Sequence, residues 1–303
     1  MHQAQITGWG EAPKYIEVPE LPTPGPDEVR VKVLASGLHR VVRSRASGRH
    51  YSSGSLPHLP GVDGVGETDD GHKVYFFTFA TGTMTEYVNL PKRSLLPLPE
   101  GVDPIQAAGI INPALSSWMA FNTRTSNVPK DFTVLILGAT SASGRVAIPL
   151  ARSLGAKKIV GGARNKDALD SLDLDQRIIV ETDVEKTDFS SLGDVDVILD
   201  YVYGPLAEHL FKSLKSSTPV QYVHIGALSA LTINLPGEVL RSNNLTLRGS
   251  GPGAWSMAET VAVLPELLAA LKHVPEQPVK AVKLADIEKQ WTSESSGRVV
   301  FVP

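Results

Sequence analysis

From residue 28 to residue 37 the chain alternates: Val29, Val31, Val33 and Ala35 are apolar, while Glu28, Arg30 and Lys32 between them are charged. A period of two predicts a half-buried strand. HKVYFF (72–77) and TMTEYVNL (83–90) are two more β-rich runs, and Gly, Pro and Asp clusters such as Pro22-Thr-Pro-Gly-Pro26 and Asp69-Asp-Gly71 punctuate the stretches around them. Residues 1–114 therefore read as a compact, irregular β barrel. Beyond them the pattern changes. LSSWMAFNTR (115–124) fits a helix, and FTVLILG (132–138) is a continuous apolar run of the kind buried on both faces of a parallel sheet. Val146, Ile148, Leu150, Ala151 and Leu154 follow at helical spacing, with Gly155 placed to end that helix. Further strands are predicted at 158–163, 177–181, 196–202, 219–226 and 245–251, with a helix over 205–215. Strands alternating with helices in this way imply βαβ units and a doubly wound parallel sheet. From Val279 onward, strand, helix and strand return to the first domain. The expected domains are 1–114 with 275–303, and 115–274.

Composition narrows the function classes. The chain has 303 residues, 42% of them hydrophobic and 20% charged, with a net charge of −3 and no cysteine. That length suits two domains. Without cysteine there is no disulfide, no thiolate nucleophile and no Cys-ligated zinc. The balanced charge argues against nucleic acid and anionic membrane as partners. No basic-then-apolar leader opens the chain, and no apolar run is long enough to span a bilayer. The expectation is a soluble, cytoplasmic enzyme.

Its chemistry starts at Leu137-Gly138-Ala139-Thr140-Ser141-Ala142-Ser143-Gly144, which leaves a buried strand and opens an amphipathic helix. That is the context of a dinucleotide-binding Rossmann loop, in which small residues let the backbone and the helix N-terminus approach a pyrophosphate. Against G-x-G-x-x-G the loop reads Ala139-x-Ser141-x-x-Gly144, so only the third glycine is kept. The second strand ends in Arg164-Asn165-Lys166 with no acid to hold ribose hydroxyls. A guanidinium there pairs with a 2′-phosphate, so NADPH is expected over NADH.

Ordered segments along the chain then resemble one family. They are Ala35-Ser-Gly-Leu38, Pro60-Gly-Val-Asp-Gly-Val-Gly66, Gly82-x-x-x-Glu86-Tyr87, Leu115-Ser-Ser-Trp118, the 137–155 loop and helix, Asp196-Val-Ile-Leu-Asp200, Leu240-Arg-Ser242, Gly249-Ser-Gly251 and Ser296-Gly-Arg-Val-Val-Phe301. Together they resemble the medium-chain dehydrogenase/reductase superfamily, in its zinc-free quinone oxidoreductase (zeta-crystallin-like) branch. The resemblance implies a GroES-like catalytic domain, a Rossmann domain and a cleft between them. It also implies a homodimer formed through the edge strand near LTLRGSG. Zinc-holding members ligate the metal by Cys, His and Cys. Those positions fall on His39, Val62 and Pro113, and one histidine is too few for a catalytic zinc.

Without a metal, reduction of an acceptor that spreads its own negative charge is the easier reaction. The implied activity is NADPH-dependent reduction of quinones or α,β-unsaturated carbonyls by hydride transfer from nicotinamide C4. Tyr51 is the first choice for proton donor or oxyanion partner, although Gly48-Arg-His-Tyr51 has one residue more than the usual Gly-x-Tyr. His39 could donate to a carbonyl as a neutral imidazole, and Asn112 precedes the domain crossover. Ser116 matches a residue touching the nicotinamide ribose or carboxamide in relatives. Strand ends supply Val202 and Tyr203 near the ribose, Gly226, Ala227 and Leu228 near the nicotinamide, and Ser250 and Gly251. His50, His58, His72, His209, His224 and His273 show no metal spacing, and they and Asp63 read as structural. Two alternatives stay open. One is an enoyl-thioester reductase, with Arg40, Arg43, Arg45 and Arg49 serving a carrier or CoA phosphate. The other is an NADPH-binding sensor or structural protein that has lost turnover.

Overall fold

A computed structural model describes residues 1–293 and 298–303. Ser296 and Gly297 of the closing motif, and the side chain of His273, lie outside the described part. The chain divides into two compact units, residues 1–112 with 276–303 and residues 113–275.

The first unit opens with the antiparallel pair β1 (His2–Gln5) and β2 (Lys14–Glu17). Strand β3 (Glu28–Gly37) follows, then helix α1 (Arg40–Ala46), β4 (Asp63–Thr68), β5 (Lys73–Phe77), β6 (Tyr87–Pro91) and β7 (Leu95–Pro97). Strand β3 organises the unit. It pairs antiparallel with β6 over its first half and with β4 from Val31 to Ser36, with a register shift between Val33 and Ala35. Val31, Val33, Val74, Phe76, Val88 and Leu90 form one core beneath it.

Helix α2 (Pro104–Met119) contains the division between the units. The sequence pattern starts a helix only at Leu115, because Asn112-Pro113 reads as a breaker. The helix in fact begins eleven residues earlier. Asp103 caps it, its carboxylate accepting from Gln106 N–H at 2.8 Å, with Pro104 in the first turn. Pro113 is tolerated inside it.

The second unit is a six-stranded parallel sheet. Its strands are β8 (Thr133–Leu137), β9 (Lys158–Ala163), β10 (Gln176–Ile179), β11 (Val197–Asp200), β12 (Val220–His224) and β13 (Leu245–Gly249), in the order β10-β9-β8-β11-β12-β13. Chain direction reverses its sideways progress between β8 and β11, which makes that the topological switch point. Helices α3 (Ala142–Ser153), α4 (Lys166–Asp170), α5 (Pro205–Ser213), α6 (Gly237–Ser242) and α7 (Met257–Ala270) belong to the same unit. Alternate residues of β8 face opposite layers. Val134 and Ile136 pack with Ala147, Ile148 and Ala151 of α3, while Leu135 and Leu137 pack with Leu206, Leu210 and Phe211 of α5. This is why that strand reads as unbroken apolar sequence.

The chain then returns to the first unit. Strand β14 (Val279–Lys283), helix α8 (Ile287–Trp291) and β15 (Arg298–Val302) follow, β15 pairing with β14 on one side and antiparallel to Ser36 and Gly37 of β3 on the other. The resulting seven-stranded sheet runs β14-β15-β3-β4-β5-β7, with β6 on β3. Among the described residues no helix is long and apolar enough to cross a membrane.

Candidate functional site

In the second unit the expected cofactor residues gather at the carboxyl ends of the parallel strands. Gly138 leaves β8 with φ +84°, and its N–H donates to Gly162 O at 2.8 Å. Ala139 is fully buried, and Thr140 and Ser141 are partly exposed. Ser141 stands where the fingerprint has its second glycine, and the fold uses its hydroxyl: Oγ accepts the Gly144 N–H at 3.1 Å and caps α3. Gly144 is irreplaceable for another reason, since a Cβ there would run into the Gly138 carbonyl oxygen. Ala142 is exposed and Ser143 partly so. Their amides belong to the first helical turn, which has no intrahelical acceptors. This N-terminus suits a phosphate in charge and geometry. Replacing Ser141 with Ala should destabilise the chain by about 1 kcal/mol, whereas Ser141→Gly should cost only a few tenths, measured by urea denaturation.

Leu228 and Val202 converge on the same turn: a Cβ on Gly138 would meet Val202 Cγ2 at 3.2 Å and Leu228 Cδ1 at 3.9 Å. The segments after β11 and β12 are stitched together by Leu228 N–H to Tyr201 O and Ser229 N–H to Val202 O. Gly226 packs on the Tyr201 backbone, and Ala227 lies between Gly226 and Leu228, partly exposed. One strand further, the Trp255 indole donates to Ser250 Oγ at 3.3 Å, with Gly251 next in the chain.

Asp200 is absent from the expected site residues, although an acid closing the apolar run Val-Ile-Leu is a visible signal for a residue that orders the turn after β11. It is fully buried. Its carboxylate accepts the Val202 N–H at 2.6 Å, the Tyr203 N–H at 3.0 Å and the Tyr222 hydroxyl. Burial raises the Asp200 carboxyl above its usual range, against the pull of those donors, and drives the Tyr222 phenol far upward. The network holds Tyr203 at φ +61°, a conformation a tyrosine rarely adopts, with its ring 4.1 Å from that of His224.

At the end of β9, Arg164 is exposed and makes no ion pair among the described residues. Its neighbours are engaged. Asn165 Oδ1 caps α4 by accepting from Ala168 N–H at 2.9 Å, and Lys166 Nζ lies 2.6 Å from Asp170 Oδ2. The three residues expected to act together at a 2′-phosphate thus have different local duties, and Arg164 is the one with its cation uncommitted. Ser116 donates its hydroxyl to Pro113 O at 2.6 Å, and the neighbouring Ser117 bonds the buried Tyr201 hydroxyl at 2.7 Å.

In the first unit, His39 is 1% exposed, beside Asp63 at 0%. Arg298 Nη1 lies 3.2 Å from His39 Nδ1. A guanidinium only donates, so Nδ1 accepts and the ring proton sits on Nε2. Nε2 is 2.9 Å from Asp63 Oδ1, an ion-pair distance that is off the line of a good hydrogen bond. Tyr75 Oη donates to Asp63 Oδ2 at 3.0 Å, while Ser36 and Thr83 hydroxyls donate to the Asp63 carbonyl. Burial lowers Arg298 to about 10, opposed by Asp63. His39 was expected to offer a proton to a substrate carbonyl; here both ring nitrogens face protein partners. Val62 is buried, and Pro113 lies within α2. Among the described residues no three His, Asp or Glu side chains converge as a metal site.

Tyr51 is 72% exposed, its ring 4.2 Å from that of His50, after a turn with Gly48 at φ +73°. Asn112 lies in the body of α2, partly buried. The four-arginine groove suggested by sequence does not form. Arg45 is 4% exposed, and Arg43 stacks 5.8 Å over Trp291, leaving Arg40 and Arg49 in solvent.

No family model matches the chain. The probable NADPH-dependent quinone reductase tdiC of Emericella nidulans is 33% identical over 355 aligned positions, covering all of both chains. The chain belongs to the medium-chain dehydrogenase/reductase superfamily, in its quinone oxidoreductase branch. Other members of the branch share its architecture. The quinone oxidoreductase of Thermus thermophilus superposes with a TM-score of 0.81 at 23% identity, covering all of both chains. That of Pseudomonas syringae pv. tomato superposes at 0.82 and 20%, covering 100% of this chain and 99% of the other. A GroES-like barrel joined to a Rossmann unit is therefore the fold of this medium-chain reductase.

Proposed function

We propose that this protein is an NADPH-dependent reductase of quinones or related α,β-unsaturated carbonyl compounds that works without zinc. The observation that carries the reading is full-length membership in the branch together with an uncommitted Arg164 at the end of β9. The residues fit a phosphorylated dinucleotide: a capped α3 N-terminus, a Gly138 turn under Val202 and Leu228, and an arginine without an ion pair among the described residues, in the place where NAD binders carry an acid. Arg164 would hold the 2′-phosphate, with Asn165 and Lys166 beside it. The loop from Gly138 through Gly144 would hold the pyrophosphate. Val202, Tyr203 and Ser116 would meet the ribose, and Gly226, Ala227, Leu228, Ser250 and Gly251 would line the nicotinamide side. When bound, the reduced nicotinamide supplies a hydride from C4.

The chain's own residues then orient the acceptor and manage one proton. Tyr51 would donate it, or hydrogen-bond the oxygen where charge develops, and Asn112 offers an amide. His39 has its one ring proton beside Asp63 and its other nitrogen capped by Arg298, so its part is to hold that buried array in place. His39, Val62 and Pro113 cannot make a catalytic zinc site, which is the ground for metal independence. Two copies would pair along the exposed edge of β13, and the reading includes action in the cytoplasm.

The test is loss of NADPH absorbance against a panel of quinones, enones and enoyl thioesters, with NADH as a control and a chelator in parallel. Quinone turnover that survives the chelator is expected. Turnover abolished by chelation sinks metal independence, and tight NADPH binding without turnover favours a sensor. Tyr51→Phe should lower kcat roughly tenfold, because water can replace a single proton donor when the acceptor delocalises its charge. An unchanged kcat would remove Tyr51 from the chemistry.

A further inference from the structure

The side chain of Arg45 is a buried cation that the proposed chemistry does not yet use. It leaves the last turn of α1 at 4% exposure. Nε donates to Ser52 O at 3.0 Å and Nη2 to Phe79 O at 3.1 Å, while the guanidinium carbon lies 4.7 Å over the Phe79 ring. Among the described residues no carboxylate stands within ion-pair distance of it. A charge kept out of water without a counter-ion is costly, so its retention asks for a reason. The nearby histidines do not share the charge: burial, and after it Arg45 itself, holds both His50 and His58 below the usual imidazole range.

Arg45 also fixes the loop that carries Tyr51. Its side chain binds the carbonyl of Ser52, and its own carbonyl accepts from Gly48 N–H at 3.0 Å and Ser53 Oγ at 2.9 Å. Tyr51 is therefore bracketed by residues tied to one arginine. Large apolar side chains of this unit are exposed, Tyr51 at 72%, Trp9 at 39% and Leu56 at 37%, with Arg49 and Ser55 also exposed on the same stretch. Trp9 lies against Gly48 and tilts over His58, with ring centroids 5.6 Å apart.

We infer that Arg45 is a positioning residue that also selects the acceptor: it holds the Tyr51 loop and presents an unneutralised positive field, beneath an aromatic rim, to planar aromatic acceptors whose reduced form is an anion. The inference rests on the reductase reading above. A neutral quinone that takes up hydride (two electrons and one proton, with oxidation of the dinucleotide) becomes a hydroquinone monoanion. One further proton from Tyr51 or water completes the neutral hydroquinone. A fixed cation in a low-dielectric wall favours the monoanion and needs no rearrangement as it forms. Lysine cannot reproduce the planar fork that reaches two carbonyls and stacks on Phe79, but it keeps the charge.

The experiment compares binding of 2-hydroxy-1,4-naphthoquinone, an anion at neutral pH, with its neutral 2-methoxy ether. Quenching of tryptophan fluorescence is read in the full-length wild type, Arg45→Gln and Arg45→Lys. The wild type should prefer the anion at least tenfold, Arg45→Gln should bind both ligands alike, and Arg45→Lys should keep most of the preference while losing kcat. A wild type with no preference, or an Arg45→Gln protein that keeps it, overturns the inference. Should Arg45→Gln fail to fold, the wild-type ratio in added salt decides the matter: a buried charge is little screened, so a preference that persists supports Arg45, and one that salt abolishes points to the exposed Arg40 and Arg49 and overturns the inference. Because binding is read without turnover, absence of turnover with every acceptor would refute the reductase reading and leave this result standing on its own.

Discussion

Asp63→Ala should destabilise the protein by about 2–5 kcal/mol, because each buried polar group left without its partner costs about 1–3 kcal/mol. Asp63 is fully buried, and three groups depend on its carboxylate. Tyr75 loses the acceptor of its buried hydroxyl, His39 loses the partner of Nε2, and Arg298 loses the anion that offsets its burial. A small side chain supplies none of these, and the space is too enclosed for solvent to replace them at low cost. Asp63→Asn should be milder, because an amide oxygen can still accept from Tyr75. Urea denaturation followed by near-UV circular dichroism checks both. A change under about 1 kcal/mol in Asp63→Ala, the size of one ordinary hydrogen bond, would mean that the array is not a structural keystone.

Arg164→Ala should raise the Kd for NADPH by about 10–100-fold and leave that for NADH within about twofold, the effect of removing one charged hydrogen-bonding partner from a phosphate. Lys166→Ala should do less. Its ammonium is shared with Asp170 at 2.6 Å, and an exposed pair of this kind yields only part of its charge to a newcomer. Titrating both dinucleotides by fluorescence separates the two variants. Equal losses for NADPH and NADH on removing Arg164 would show that it acts on the loop and not on the 2′-phosphate.

Much of the Rossmann unit is legible in the sequence because its strands obey one local rule. Lys158–Ala163 has the predicted bounds, and the glycine after Leu154 ends α3 as read, with φ +93°. The start of α2 was hidden by Asn112-Pro113, although Asp103-Pro104 carries a start signal of its own. Arg45 reads in the sequence as one of four clustered arginines open to a carrier or CoA phosphate. Its spacing told otherwise: Val42, Arg45 and Ala46 share the i, i+3, i+4 face that α1 buries. His39 could not have been read locally at all. Its Nδ1 partner comes from β15, 259 positions away, and only that donor decides which nitrogen carries the proton.

The barrel's closing strand has a consequence for how the chain is made. Strand β15 pairs with β3 and brings Arg298 to His39, yet every residue of the second unit is synthesised between them. At about 5–20 residues per second, roughly 8–33 s separate Asn112 from Glu276 on the ribosome. The Rossmann unit is continuous and can complete its sheet as it emerges. The barrel must wait with the end of β3 uncovered and with His39 and Asp63 lacking their cation. Nascent chains halted after residue 275 should therefore carry a protease-resistant second unit joined to a first unit that is still cleavable.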